Sequence, residues 1–383
     1  MFFKPSPIFL ILVLLALSLA LYTVLPIISI QRQRMSLETD NRNSLFREGN
    51  GMFYEVKNKP EVNEDDKKMW YPYCSPGEIR DSERLLTTEM GAFRGNGSLG
   101  EQLFELASLY GLSRSLNRKP VLDLTIPNLP VTLQSAVNRL FPRLISYFQL
   151  RFTDTFPTRE EVDVRRNESL LFESLETSPA QAALGFYLHV NTSSFKSYKY
   201  FDKYRELLGV MRVTDTQLQE QANAILPETQ KEDFLICMHV DNSTGESSAE
   251  EKKLSRFAAE YLVKKHFGKM TQNISVAVIG RGSNDWRKVF EEFTITTESL
   301  SHLYDLIYTD SNEIVDLVFS QKHCHVVLLA DSLSVPGWWF AYLSKAKDQI
   351  FYREPKESNE ITNLDDYFPQ TWIKLRLTVH SRQ

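Results

Sequence analysis

From Phe234 to its end the chain alternates short apolar runs with longer helical ones, and this alternation limits the possible folds more than any other feature. Phe234 to Val240 (FLICMHV) reads as a buried strand, Ala249 to Phe267 as a helix, Ile274 to Gly280 as a strand and Asp285 to Glu292 as a helix. Glu313 to Ser320 gives another helix, CHVVLLA from Cys324 a strand, GWWFAYLSKA from Gly337 a helix and QIFYR from Gln349 a last strand. Unbroken apolar strands are buried on both faces, and intervening helices return the chain to the same edge. The expected arrangement is therefore a parallel sheet covered on both sides. The pattern begins earlier but less regularly. LLTTEMGAF from Leu85 is expected to be a strand and VLDL from Val121 another, joined by a helix from Leu99 to Asn117 with Leu103, Leu106, Ala107, Tyr110 and Leu116 at helical spacing.

The segments divide into an N-terminal lobe, 80–230, and a C-terminal lobe, 231–383, expected to meet at a cleft. Ligands of parallel sheets bind beyond the carboxyl ends of the strands, so the chemistry is expected in the loops there.

The N-terminal residues address the compartment. Ile8 to Ile30 carries no charge and is long enough to cross a bilayer as a helix. It exceeds the apolar stretch of a cleaved signal peptide. The layout expected is a cytoplasmic tail at 1–7, a transmembrane signal-anchor at 8–30 and a polar stem at 31–79. Sequons at Asn96, Asn167, Asn191, Asn242 and Asn273 all follow the anchor, which favours a lumenal body. The formal charge of 44 − 49 = −5 argues against a nucleic-acid binder, which needs a basic field to neutralise phosphates. Three cysteines, Cys74, Cys237 and Cys324, are too scattered for a four-ligand zinc site and allow at most one disulfide. No metal site is expected.

Three strand-end loops hold candidate chemistry. Gly95-Asn-Gly-Ser-Leu-Gly-Glu-Gln102 runs into a helix start, whose free N–H groups attract phosphate; a glycine-bearing strand-to-helix turn with no ligand is the plainer reading. His239-Val-Asp-Asn-Ser-Thr-Gly-Glu246 leaves the first C-terminal strand and offers His239, Asp241 and Glu246 for proton transfer, His239 first and Asp241 second. A lone strand-end histidine is more often structural. Asp331-Ser-Leu-Ser-Val-Pro-Gly-Trp-Trp339 presents Ser332 and Ser334 at a helix start, with tryptophans suited to packing that helix onto the sheet.

These residues carry a resemblance. The run from Gly97 to Pro120, GSLGEQLFELASLYGLSRSLNRKP, resembles the first signature of the alpha-1,2-fucosyltransferases, glycosyltransferase family 11, which reads G-R-[LF]-G-N-Q and closes on N-G-R-x-P. His239 aligns with the histidine of that family's H-V-R-R-G-D loop, and Gly280 to Trp286 is similar to its S-N-x-x-x-W stretch. Asp316 onward, then Ser332 to Leu343, resembles the C-terminal signature D-L-x-x-x-x-x-C-x-x-x-I with S-[ST]-F-x-[WG]-W-x-[AG]-Y-L. Asp366 to Ile373 resembles the closing F-P-x-x-W.

The resemblance implies a GT-B-like α/β body of two Rossmann-type lobes, the N-terminal lobe on the acceptor side and the C-terminal lobe on the GDP-fucose side. It implies a single-pass type II protein of the Golgi membrane that moves L-fucose from GDP-fucose to a terminal galactose with inversion, without a required metal or cofactor. It also implies possible pairing with other Golgi transferases. The donor-binding candidates are Gly100, Gln102, His239, Arg281, Ser332 and Ser334; the catalytic candidates are His239 and Asp241. In place of the paired arginines of H-V-R-R-G-D stand Asp241 and Asn242, and Ser98 and Glu101 replace the arginine and asparagine of the first signature. Arg281, which leaves a strand at its carboxyl end, is the leading substitute, ahead of Arg94 and Arg287. The same departures keep two rivals open: a transferase for a different nucleotide sugar, and a catalytically inactive relative acting as a lumenal glycan-binding or transferase-partner protein.

Overall fold

The computed structural model describes residues 84–376, apart from 96, 127–128, 130–132, 152–159, 164–171, 173, 175–185, 192–194, 243–247, 270, 294–302, 310 and 356–362. The expected tail at 1–7, anchor at 8–30 and stem at 31–79 lie outside the described residues, as do Asn96, Asn167, Glu246 and Cys74. Among the described residues, no helix is long and apolar enough to cross a membrane.

Two parallel sheets organise the chain. The first takes β1 (Leu85–Thr88), β2 (Lys119–Asp123), β3 (Gln149–Arg151), β4 (Glu160–Asp163) and β5 (Tyr187–Asn191) in the order β3-β2-β1-β5-β4. The second takes β6 (Phe234–His239), β7 (Ile274–Ile279), β8 (Asp305–Thr309), β9 (Val326–Leu329), β10 (Ile350–Arg353) and β11 (Ile373–Leu375) in the order β11-β10-β9-β6-β7-β8. Every recorded strand pair is parallel. The helices that return the chain are α1 (Leu99–Ser115), α2 (Arg205–Val210), α3 (Thr216–Asn223), α4 (Ala249–His266), α5 (Trp286–Phe293), α6 (Glu313–His323) and α7 (Val335–Tyr342).

Local sequence sets most boundaries. Ser98 and Ser248 each close a capping box with the glutamate three residues on, Glu101 and Glu251, satisfying otherwise orphaned N–H groups at the starts of α1 and α4. The strand expected through LLTTEMGAF stops at Thr88. Met90 adopts a left-handed backbone (φ 52°), and Gly91–Arg94 forms a single helical turn instead. α7 begins at Val335, ahead of the expected Gly337, because Ser334 caps it by accepting from Gly337 N.

α1 is buried on nearly every side, against the one-faced pattern its spacing suggested. One face packs on β1 and β2. The opposite side meets the second sheet's layer, where Phe104 contacts Trp338 and Trp339 at ring separations of 4.6 and 5.0 Å. Gly111 is required there, since a Cβ would lie 2.0 Å from the Tyr200 carbonyl oxygen.

In the second sheet Ile236, Met238, Val276, Val278, Val326 and Leu328 face one core with Leu262 and Trp286. The adjacent positions Cys237 and His239 alternate to the other face, as strand geometry dictates. There Cys237 is bonded to Cys324, a disulfide that ties β6 to the entry of β9 across 87 residues of chain.

Candidate functional site

The carboxyl ends of β1, β6 and β9 deliver the three motif loops to one place, and those of β7 and β8 add Arg281 and Glu313. Gly100, in the first turn of α1, is the meeting point. Its N–H donates to Glu313 Oε1 at 3.1 Å, and its carbonyl accepts from the Trp339 indole at 2.8 Å. A Cβ on Gly100 would stand 2.8 Å from Val335 Cγ1, so only glycine allows this approach. Gln102 is buried one turn away and donates to the Gly97 carbonyl at 2.9 Å, holding the glycine loop to the helix.

His239 closes β6 and is 3% exposed. Its ring lies 5.0 Å from that of Phe340, and a Cβ on Gly337 would fall 2.7 Å from Nδ1. Burial pushes its pKa down to about 4, the charge of Asp241 opposing, so the ring is neutral at physiological pH. Nδ1 makes no hydrogen bond. Two residues on, the Asp241 carboxylate accepts from Ser334 Oγ at 2.8 Å, coupling the first loop of this lobe to the cap of α7. Ser332 Oγ, offered by the sequence to a donor phosphate, instead donates to the Arg353 carbonyl.

The cations divide. Arg94 donates to the Glu89 carbonyl at 2.9 Å, and Arg287 stands 4.7 Å over the Tyr308 ring. Arg281 is exposed at the end of β7 and faces Glu313 electrostatically. Of the three arginines it is the one that interacts with Glu313, the partner of Gly100.

Glu313, at the first position of α6, was not singled out in the sequence. The signal existed: it opens a helix directly after a strand, where carboxyl-end chemistry sits. β8 went unrecognised because its run DLIYT is short and half-polar, which left Glu313 without a strand before it. Burial pushes this carboxyl's pKa up; the Gly100 N–H and Arg281 oppose, while Asp241 and Glu101 add to the rise.

The tryptophans expected to pack α7 on its own sheet do more. Trp338 donates to the Tyr367 carbonyl at 2.8 Å, while Trp339 stacks on Phe201 and reaches Gly100 across to the other lobe. The sequon at Asn242 is hemmed in, its Nδ2 3.4 Å from Asp285 Oδ2 and only 2.2 Å from where a Cβ on Gly282 would stand. A cavity of about 810 Å³ opens elsewhere, lined by Met211, Gln321, Lys345, Ile350 and Trp372 among others, and the motif loops do not line it.

Beneath the glycine loop, Glu105 is 6% exposed. Its Oε1 accepts from Ala92 N at 3.0 Å and its Oε2 has no partner. Burial pushes its pKa up to about 7 against the ordinary 4.5, a gap corresponding to roughly 3 kcal/mol. The folded state therefore favours the protonated acid. That stabilisation is complete below about pH 4.5 and lost as pH rises through about 7. Glu105→Gln is accordingly expected to raise the melting temperature at pH 8 and leave it little changed at pH 4. Equal shifts at both, measured by calorimetric scans, would contradict the assignment.

Two parallel sheets flanked by helices, their carboxyl-end loops in contact, define a two-lobed α/β protein, a class whose ligands bind at such strand ends. No protein-family model matches the chain. A galactoside 2-alpha-L-fucosyltransferase of Caenorhabditis elegans is 28% identical over 330 residues, covering 78% of this chain and 79% of the relative. A putative galactoside 2-alpha-L-fucosyltransferase of the same organism, svh-11, is 25% identical over 323 residues, covering 80% of this chain and 84% of its own. The chain is thus a divergent relative of the galactoside 2-alpha-L-fucosyltransferases, as the motifs indicated. Among solved structures, a variant of Arabidopsis thaliana FUT1 in complex with GDP aligns at a TM-score of 0.40 with 10% identity, covering 79% of this chain and 77% of that one. NodZ alpha-1,6-fucosyltransferase, co-crystallised with GDP, aligns at 0.40 with 11% identity, covering 70% and 93%.

Proposed function

We propose that this chain is a fucosyltransferase of GT-B-like architecture that transfers L-fucose from GDP-fucose to a terminal galactose with inversion. The observation that carries the reading is the convergence of Gly100, His239 with Asp241, Arg281 and Ser334, from four family-like motifs, at one place between the sheets. Likeness in sequence to galactoside 2-alpha-L-fucosyltransferases over about four fifths of the chain supports it.

On this reading the donor lies against the second sheet, its diphosphate facing Arg281, and the acceptor enters from the side of the first. Departure of GDP develops negative charge, which an arginine on this side stabilises. His239 is a positioning residue, packed under α7, and Asp241 holds the α7 cap through Ser334. The reading calls on no metal. We place the protein as a type II protein of the Golgi membrane anchored by residues 8–30, and the buried disulfide, a bond that persists in oxidising compartments, is consistent with a lumenal body.

The test is calorimetric titration of the purified chain with GDP and GDP-fucose, followed by transfer to a galactoside. Micromolar binding with transfer is expected. Arg281→Ala should weaken GDP by about 1–3 kcal/mol, the range for hydrogen bonds to charged groups. No heat up to millimolar nucleotide would overturn the reading in favour of an inactive, glycan-binding relative.

A further inference from the structure

An inverting transfer needs a group that takes the acceptor's hydroxyl proton as the oxygen attacks. The two candidates from the sequence are poorly placed for it. His239 is sealed beneath Gly337 and Phe340, and Asp241 is 6% exposed with one oxygen engaged by Ser334.

We propose that Glu313 is the general base of this groove, an inference that rests on the transfer reading above. Three observations support it. Glu313 begins α6 at the carboxyl edge of the second sheet, and it crosses to the first lobe to meet Gly100 N at 3.1 Å. It therefore stands on the line where the donor-side and acceptor-side loops touch. It is half-buried, so a sugar hydroxyl can approach it in a way that the sealed His239 ring does not permit. The groups facing it are Asp241, Glu101, Arg281 and the Gly100 amide; burial and the two carboxylates strengthen its hold on a proton, which the Gly100 amide and Arg281 oppose. A base becomes more effective as its proton affinity rises toward the working pH.

The step balances. The acceptor oxygen forms a bond to the anomeric carbon on the face opposite the diphosphate. The bond from that carbon to the phosphate oxygen breaks, its electron pair leaving with GDP. The hydroxyl proton passes to the Glu313 carboxylate and then to water.

The experiment compares the full chain with Glu313→Gln and Glu313→Ala. Glu313→Gln is expected to lower kcat by a factor of at least about 100, the usual scale of general-base removal, with the Kd for GDP within about twofold of the parent. The acid limb of the kcat profile should disappear with it. Azide carries no proton to remove, so it should restore donor consumption to Glu313→Ala by attacking the anomeric carbon to give fucosyl azide and GDP. It should not restore Arg281→Ala. Full turnover in Glu313→Gln, loss of GDP binding together with turnover, or no response to azide would each overturn the inference while leaving the transfer reading standing. A parent chain that neither binds GDP nor consumes GDP-fucose would overturn both.

Discussion

Replacing Cys237 and Cys324 together with alanine is expected to lower the unfolding free energy by about 4–5 kcal/mol, the chain-entropy scale for closing a loop of this length. The two positions are 87 residues apart in sequence, so the bond withdraws a large set of conformations from the unfolded chain. Both side chains are fully buried between β6 and β9, and alanine leaves no polar group unsatisfied there. The cost should therefore come almost entirely from the lost link. Urea unfolding of the parent with and without reductant, beside the double variant, gives the measurement. The reduced parent and the variant should share a midpoint well below that of the oxidised parent; three coincident curves would show that the link contributes nothing.

Trp339→Ala is expected to cost about 3–5 kcal/mol, the usual range for removing a buried indole. The ring contacts Phe104 at 5.0 Å and Phe201 at 5.7 Å, both from the first lobe, and its N–H satisfies the Gly100 carbonyl. Trp339→Phe separates the two contributions. It keeps most of the aromatic contact and removes only the indole bond to the Gly100 carbonyl, for an expected loss of about 0.5–1.5 kcal/mol. Thermal unfolding of both variants tests this, and a phenylalanine variant as damaged as the alanine one would mean that the hydrogen bond, not the ring contact, governs the site.

The second lobe was legible because its strands are buried on both faces. Runs such as FLICMH and ISVAVI permit only one interpretation, and their boundaries fall within a residue of those expected. The first lobe was harder. β3, β4 and β5 are short and mixed in polarity, so their pairing with β1 and β2 depends on contacts distant in sequence that no local pattern announces. The motif loops were legible as a set. What each side chain does there was not, because it depends on partners 93 to 239 residues away: Asp241 on Ser334, Gly100 on Glu313 and Trp339. Ser332 shows the same limit, since a hydroxyl that looked free in sequence faces a carbonyl from β10.

Gly100 is gripped at both polar ends of its peptide backbone by residues from the opposite lobe. Both grips come from the second lobe, so parting of the lobes has to break both together. Any breathing between the lobes at this point would then be an all-or-none event centred on one residue without a side chain.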